Sequence, residues 1–344
     1  MYLNYDSAVI FINPYIILLI GFSIGILGAY FGSASMFLTV PAMNIFGVPM
    51  VFAIGSDLAH VCGKTLFSSR HNKFFNWQLT AILSISGAIG IYLSYNLIVF
   101  LEQYHIADTV IRSLYIALLI ISGVVILIRQ SVVSNNLQLL PKISTVKIPP
   151  IIELNPVIKV TLWIPVLLGT VFGLLTGLIG GGSLMVQIPL LTYFLGLPVP
   201  MALTSSFITV LTTSIIGIKL WSSSSFISII ITVLLLIGVV VGSQLGYAAS
   251  KTIPKHKFST QTKETLLIMS GAKTSLALVL LMIGWVKFAK LLIVAALLPP
   301  AVVTIIFLLL EKFVISNEIY HAEKLKPDKN MQNSIIEPSS TKTD

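Results

Sequence analysis

The sequence predicts an all-α polytopic membrane protein made of two inverted repeats. Each repeat holds a broken, glycine-rich re-entrant segment plus three spanning helices, and one extra helix follows at the C-terminal end. Three observations lead there. Of 344 residues, 56% are hydrophobic and only 10% charged, against about 25% charged in a soluble domain. Runs such as FISIIITVLLLIGVVVG (226–242) and LLIVAALLPPAVVTIIFLLL (291–310) approach or reach the ~20 apolar residues that cross a bilayer. Finally, a stretch of the first half aligns with a stretch of the second.

The elements follow in chain order. Residues 1–14, MYLNYDSAVIFINP, are an N-terminal extension without Lys or Arg, so the positive start of a cleavable signal peptide is missing. The first repeat, 15–130, has apolar segments near 15–45, 49–68, 77–100 and 110–129. A polar, proline-containing connector over 131–160 is expected on the cytoplasmic side. The second repeat, 161–285, has segments near 162–195, 199–218, 226–249 and 265–285. The additional helix falls within 286–315, and the charged stretch 316–344 reads as a disordered cytoplasmic tail. The single cysteine, Cys62, rules out a disulfide framework or a cysteine metal site.

GFSIGILGAYFGSASMFLTVP (21–41) aligns without gaps on GTVFGLLTGLIGGGSLMVQIP (169–189). Gly21, Gly25, Gly32, Ser35 and Pro41 meet Gly169, Gly173, Gly180, Ser183 and Pro189. After a one-residue shift FGVP (46–49) meets FLGLP (194–198), and Ala53 and Ser56 meet Ala202 and Ser205. Transporters are commonly built from such repeats, with the substrate between them.

Charge orients the halves. The basic connectors carry Arg70 and Lys73, then Arg129, Lys142, Lys147 and Lys159, then Lys251, Lys255, Lys257 and Lys263. The 101–109 loop instead carries Glu102 and Asp108, and the N-terminus only Asp6. If the two glycine-rich segments enter and return on one side, all three basic connectors become cytoplasmic. Each half then crosses three times, an odd number, so the halves are inverted, with the N-terminus outside and the C-terminus inside. Lys219 then faces outward, against the trend. The net charge of +9 fits basic cytoplasmic loops, and no nucleic-acid partner is expected.

GLIGGGSLMVQIP (177–189) breaks its own helix, because each of Gly180, Gly181 and Gly182 costs roughly 1 kcal/mol in a helix relative to alanine. Broken backbone survives in hydrocarbon only where protein or a watery cavity surrounds it. Its free N–H groups, with the positive end of the following helix, make a site for an anion. The competing reading, glycines that only permit tight helix packing, suits isolated glycines better than a GGGS run followed by Gln187 and Pro189. Ser183, Gln187, Thr204, Ser205 and Ser206, and in the first half Gly32, Ser33, Ser35 and Ser56, are the further candidate ligands, Gly32 through its backbone N–H and the others through side chains able to donate to an oxyanion. Their alternative is bonding back to carbonyls one turn earlier.

Asp57, His60 and Lys64 share one face of a helix at i, i+3 and i+7. Intramembrane charges normally point into a bundle or cavity. Lys64 is then the countercharge to an anion and Asp57 or His60 a proton carrier; a self-neutralising cluster, with Lys64 reaching toward the boundary, is the alternative. Lys273 lies mid-span with no acidic neighbour on its own helix, and needs either Asp57 or an anion. No HExxH or Walker A motif appears, and buried carboxylates are too few for a paired acid/base site, so no enzyme and no cofactor or metal is expected.

GLLTGLIGGGSLMVQIPLLTYFLGLPVPMALTSSF (173–207) resembles the signature of the TauE/SafE sulfite exporter family, also called toluene-sulfonate uptake permeases. That pattern is a glycine-rich helix break, a proline several residues later, a Gly-x-Pro turn and a Thr-Ser pair. SSRHNKFFNWQL and LIGVVVGSQLGYAASKTIP resemble two further parts of it, so the likeness covers most of residues 15–285. FGSASM and GSD (55–57) in the first half depart from the pattern. The resemblance implies a carrier in the bacterial inner membrane for sulfite or small organosulfonates, driven by a proton or ion gradient. Its partners would be the small anion and the bilayer, with a homodimer as one assembly. The competing functions are transport of another anion, such as a carboxylate, and an accessory subunit that transports nothing.

Overall fold

A computed structural model of the chain describes residues 13–31, 36–69, 76–134, 151–155, 158–252 and 260–298. The helices of the first half are α1 (Pro14–Phe31), α2 (Thr39–Ile45), α3 (Met50–Ser69), α4 (Trp77–Gln103) and α5 (Ala107–Ser134). Those of the second are α6 (Trp163–Ile179), α7 (Leu184–Phe194), α8 (Val199–Ser223), α9 (Ile229–Thr252) and α10 (Thr260–Met282). A 3-10 turn, Gly180–Ser183, joins α6 to α7, and a last helix covers residues 286–298.

One element departs from the all-α expectation. Strands β1 (Ile151–Asn155) and β2 (Ile158–Thr161) pair antiparallel, Ile152 opposite Val160 and Glu153 opposite Lys159. The β-branched residues on either side of Asn155-Pro156 explain why a stretch expected to be a polar, proline-containing connector pairs with itself.

Five stretches among the described residues are long and apolar enough to cross a membrane: Trp77–Gln103, Ala107–Val124, Trp163–Thr192, Val199–Ser223 and Ile229–Ala248. Pro14–Gly28, Met36–Ile45 and Ile268–Met282 are apolar but shorter. α3, with Asp57, His60 and Lys64, is in neither group. The outer faces carry continuous apolar side chains, among them Ile85, Ile89, Leu93 and Leu97 on α4 and Val233, Ile237 and Val241 on α9. Soluble proteins rarely expose such a face; hydrocarbon accepts it.

The helices pair across the two halves. α1 lies along α9, and α6 lies along α4; α3 meets α8, and α5 meets α10. The first two pairs are close because glycine lets them be. A Cβ on Gly21 would stand 2.7 Å from the Leu235 carbonyl oxygen, and one on Gly25 would stand 2.8 Å from Ser243 N. In the other pair a Cβ on Gly173 would stand 2.8 Å from Gly87 Cα, and one on Gly90 would stand 2.7 Å from Leu174 N. Small residues of this kind let membrane helices approach backbone to backbone.

The turns are set by local chemistry. Asn76 caps α4 by accepting from Leu79 N at 3.0 Å. α2 ends in a left-handed glycine, Gly47 at φ +107°, with Gly47 N on Asn44 O at 3.0 Å and Val48 N on Met43 O at 3.1 Å. α7 ends comparably at Gly196, φ +68°. These are the FGVP and LGLP turns that align in the sequence.

Candidate functional site

α6 stops at Gly180, whose φ of +64° and ψ of −145° lie in a region open essentially only to glycine. The chain makes one 3-10 turn and restarts as α7. All four residues of that turn are buried. They are faced by the opposite half: a Cβ on Gly181 would meet Val61 and Met36, and one on Gly182 would meet Phe37.

The second contact is a charge. Gly181 N–H donates to Asp57 Oδ2 at 2.8 Å, and Asp57 Oδ1 lies 3.2 Å from His60 Nδ1. Asp57 and His60 are fully buried. A side chain on Gly180 would run into the Asp57 carboxylate, so glycine there serves both the bend and the approach of the anion. Tyr115 of α5 closes the other flank, its hydroxyl donating to the Ile179 carbonyl. A carboxylate is therefore bound at the position where the sequence predicts a small oxyanion. His60 Nε2 and Lys64 Nζ, further along the same face, are buried and have no hydrogen-bond partner among the described residues.

The remaining candidates separate into engaged and free groups. Gln187 Nε2 donates to Ser183 Oγ at 3.0 Å, Ser183 Oγ lies 2.9 Å from Thr176 Oγ1, and Thr176 Oγ1 donates to Phe172 O at 2.7 Å. This chain of polar groups fastens α7 to α6 across the break. Thr204 bonds back to Pro200 O at 2.9 Å, and Ser205 Oγ accepts from Thr80 Oγ1 at 3.2 Å. Ser56 Oγ accepts from Ser228 N at 3.2 Å, in a different part of the bundle. Ser206 Oγ and Gln187 Oε1 are buried without a partner among the described residues. Lys273 is not joined to Asp57; its Nζ donates to Ala295 O, 3.3 Å away on the 286–298 helix. Gly32, Ser33 and Ser35 lie outside the described residues.

Sequence reasoning did not single out Tyr115, Thr176 or a polar cluster at the α2–α3 turn. There Arg112 Nε donates to Asn44 Oδ1 at 2.8 Å and its Nη2 to Asp108 Oδ2 at 2.9 Å, while Asp108 Oδ1 accepts from Met50 N at 2.8 Å. The i, i+4 spacing of Asp108 and Arg112 was the available signal. GFSIG (21–25) has the spacing of a nucleophile elbow, but it lies inside α1 with both glycines against α9, not on the strand-to-helix turn which that motif requires.

The family model of the sulfite exporter TauE/SafE matches residues 17–274, three quarters of the chain and all of this site. The chain belongs to the TauE/SafE family. A probable membrane transporter protein of Methanocaldococcus jannaschii is 27% identical to it over 260 residues, covering 70% of this chain and 88% of the relative. No solved structure matches significantly. Membership of TauE/SafE, with the five apolar spans, makes this a multi-pass membrane protein of a transporter family.

Proposed function

We propose that this TauE/SafE member is a secondary transporter of sulfite or small organosulfonate anions across the bacterial inner membrane, working by alternating access. The observation that carries the reading is the bond from Gly181 N–H to the Asp57 carboxylate. A carboxylate presents the same kind of charged oxygen as a sulfite or sulfonate, so the glycine break has the chemistry to hold one. Gly180 to Ser183, Gln187 and Thr204 to Ser206 form the second half's share of the site. Gly32, Ser33 and Ser35, which align with the break in sequence, are the candidates for the share of the first. Lys64 Nζ, buried and without a hydrogen-bond partner among the described residues, supplies the positive field that a desolvated anion needs, and His60 Nε2, likewise buried and free among them, is a second donor. Asp57 or His60 carries the coupling proton. Lys273 contributes charge from α10.

The reciprocal packing supports inverted repeats. Under a two-fold exchange of α1 with α6 and α4 with α9, the α1–α9 pair becomes the α6–α4 pair, and α3–α8 and α5–α10 become themselves. α2 and α7 are then the returning arms of re-entrant segments, leaving three crossings per half. The N-terminus lies outside and the basic connectors inside. Rocking of one half against the other exposes the break to each side in turn.

The test is counterflow of radiolabelled sulfite and of a labelled small sulfonate in proteoliposomes, comparing the natural protein with Gly181→Leu. Counterflow in the natural protein that is lost in a folded variant supports the site. Its absence in the natural protein with both anions overturns the function. Counterflow of a carboxylate alone would move the substrate to that class.

A further inference from the structure

We propose that the Asp57 carboxylate competes with the transported anion for the Gly181 amide, so that each anion enters only as Asp57 takes up a proton and the two move together. This rests on the function proposed above and adds its coupling. The starting point is occupancy: the amide that would bind the substrate already bonds Asp57 Oδ2 at 2.8 Å, across 124 positions of sequence. One N–H cannot hold two full-strength acceptors, and a side chain on Gly180 would not fit beside the carboxylate.

Electrostatics gives the same order of events. Two unit anions about 4 Å apart, at the effective dielectric constant of ~20 that suits protein sites, repel enough to weaken binding roughly a thousandfold. Protonation removes that term. The empty site holds one negative charge, on Asp57. The loaded site holds one negative charge, on the substrate, beside a neutral carboxylic acid. The proton comes from water on the side of entry and bonds to a carboxyl oxygen; it returns to water on the side of release, where the carboxylate reclaims the amide. Charge on the moving unit is the same loaded and empty, so loading adds no further charge to the buried site.

The groups that face Asp57 are few. On α3 they are His60, 3.2 Å from Oδ1, and Lys64. From α5 there is Tyr115, whose hydroxyl is already committed to Ile179 O; Arg112 and Asp108 of that helix bond each other and Asn44. α2, α6 and the 3-10 turn carry no titratable side chain. On α8 and α9 the described titratable side chains are Lys219 and Tyr247, both exposed. His60 and Lys64 therefore set the field in which Asp57 exchanges its proton.

The experiment uses the full chain in vesicles, with the membrane potential clamped at zero and labelled methanesulfonate as probe. As the anion of a strong acid it carries no proton itself, so any proton moved belongs to the protein. With the outside one pH unit more acidic, one proton per anion supports about tenfold accumulation, and a trapped pH dye reports internal acidification in step with uptake. Asp57→Asn keeps the size of the side chain but removes the charge and the proton site. It is expected to lose both accumulation and acidification. Net uptake by the natural protein without acidification overturns the inference and leaves the transporter reading standing. Accumulation that survives in a folded Asp57→Asn overturns it too. If that variant does not fold, the proton count of the natural protein decides. Absence of exchange in the natural protein with both methanesulfonate and sulfite would instead remove the function itself, and the coupling with it.

Discussion

Replacing Gly173 by alanine tests whether the α4–α6 crossing is held as tightly as the structure has it. Gly173 faces the backbone of Gly87, and the added Cβ would fall 2.8 Å from Gly87 Cα and onto the carbonyl beside it. Backbone cannot swing aside as a side-chain end can, so the helices must separate. A gap of about half an ångström to an ångström forfeits a quarter to a half of the dispersion attraction at each contact across it. Overpacking on this scale costs about 1–3 kcal/mol. Alanine returns up to about 1 kcal/mol of helix propensity. Because backbone meets backbone the overpacking cost lies at the upper end of its range, and the net loss is about 2 kcal/mol, roughly a thirtyfold fall in the folded-to-unfolded ratio. Gly123 is the control: it also lies inside a helix, α5, but nothing comes within 4 Å of an added Cβ. Gly123→Ala is expected to be neutral or to gain about 0.4–1 kcal/mol. The measurement is the unfolding midpoint of both purified variants in the same detergent. Opposite signs support the crossing. Equal losses, or a neutral Gly173→Ala, would refute the reasoning.

Other outcomes follow from single contacts. Gly180→Ala places a side chain at φ +64° and into Asp57, and is expected to lower the unfolding midpoint by the equivalent of about 1–3 kcal/mol. Asn76→Ala removes the cap of α4 and should cost about 1 kcal/mol while leaving the apparent substrate affinity unchanged in uptake assays. Ser206→Ala deletes a buried hydroxyl that has no partner among the described residues; stability should hold or rise, whereas a weaker apparent affinity in counterflow would mark the hydroxyl as a ligand. Arg112→Ala frees the α2–α3 turn, and amide exchange at Val48 and Met50 should quicken while that of the α4–α6 crossing stays slow.

How much of this can be read in one dimension depends on the range of the interaction. The broken helix at Gly180–Ser183 and the two glycine turns are local, because three successive glycines and a Gly-x-Pro run act within a few residues. The same holds for Gly21, Gly25, Gly169 and Gly173, although spacing alone could not name their partners. The hairpin at 151–161 is equally local, and its β-branched residues were passed over because charge and proline dominated that stretch. The Asp57–Gly181 bond was out of reach. Asp57 was legible as a buried charge and Gly181 as a free amide, but only the packing of α3 against the turn joins them. Lys273 shows the converse: the need for an acceptor was legible, and a backbone carbonyl of another helix met it.

The exchange of partners between halves also bears on the order in which the molecule can be made. α1 leaves the ribosome well before α9, which carries the surface that receives Gly21, around Leu235 and Gly238. Some 200 residues separate them, and at about 5–20 residues per second the interval is roughly 10–40 s. Until then the glycine face of α1 borders lipid or a helper protein instead of its native neighbour. α1 is thus made long before it can be locked in place, and a nascent chain halted before α9 leaves that notch open.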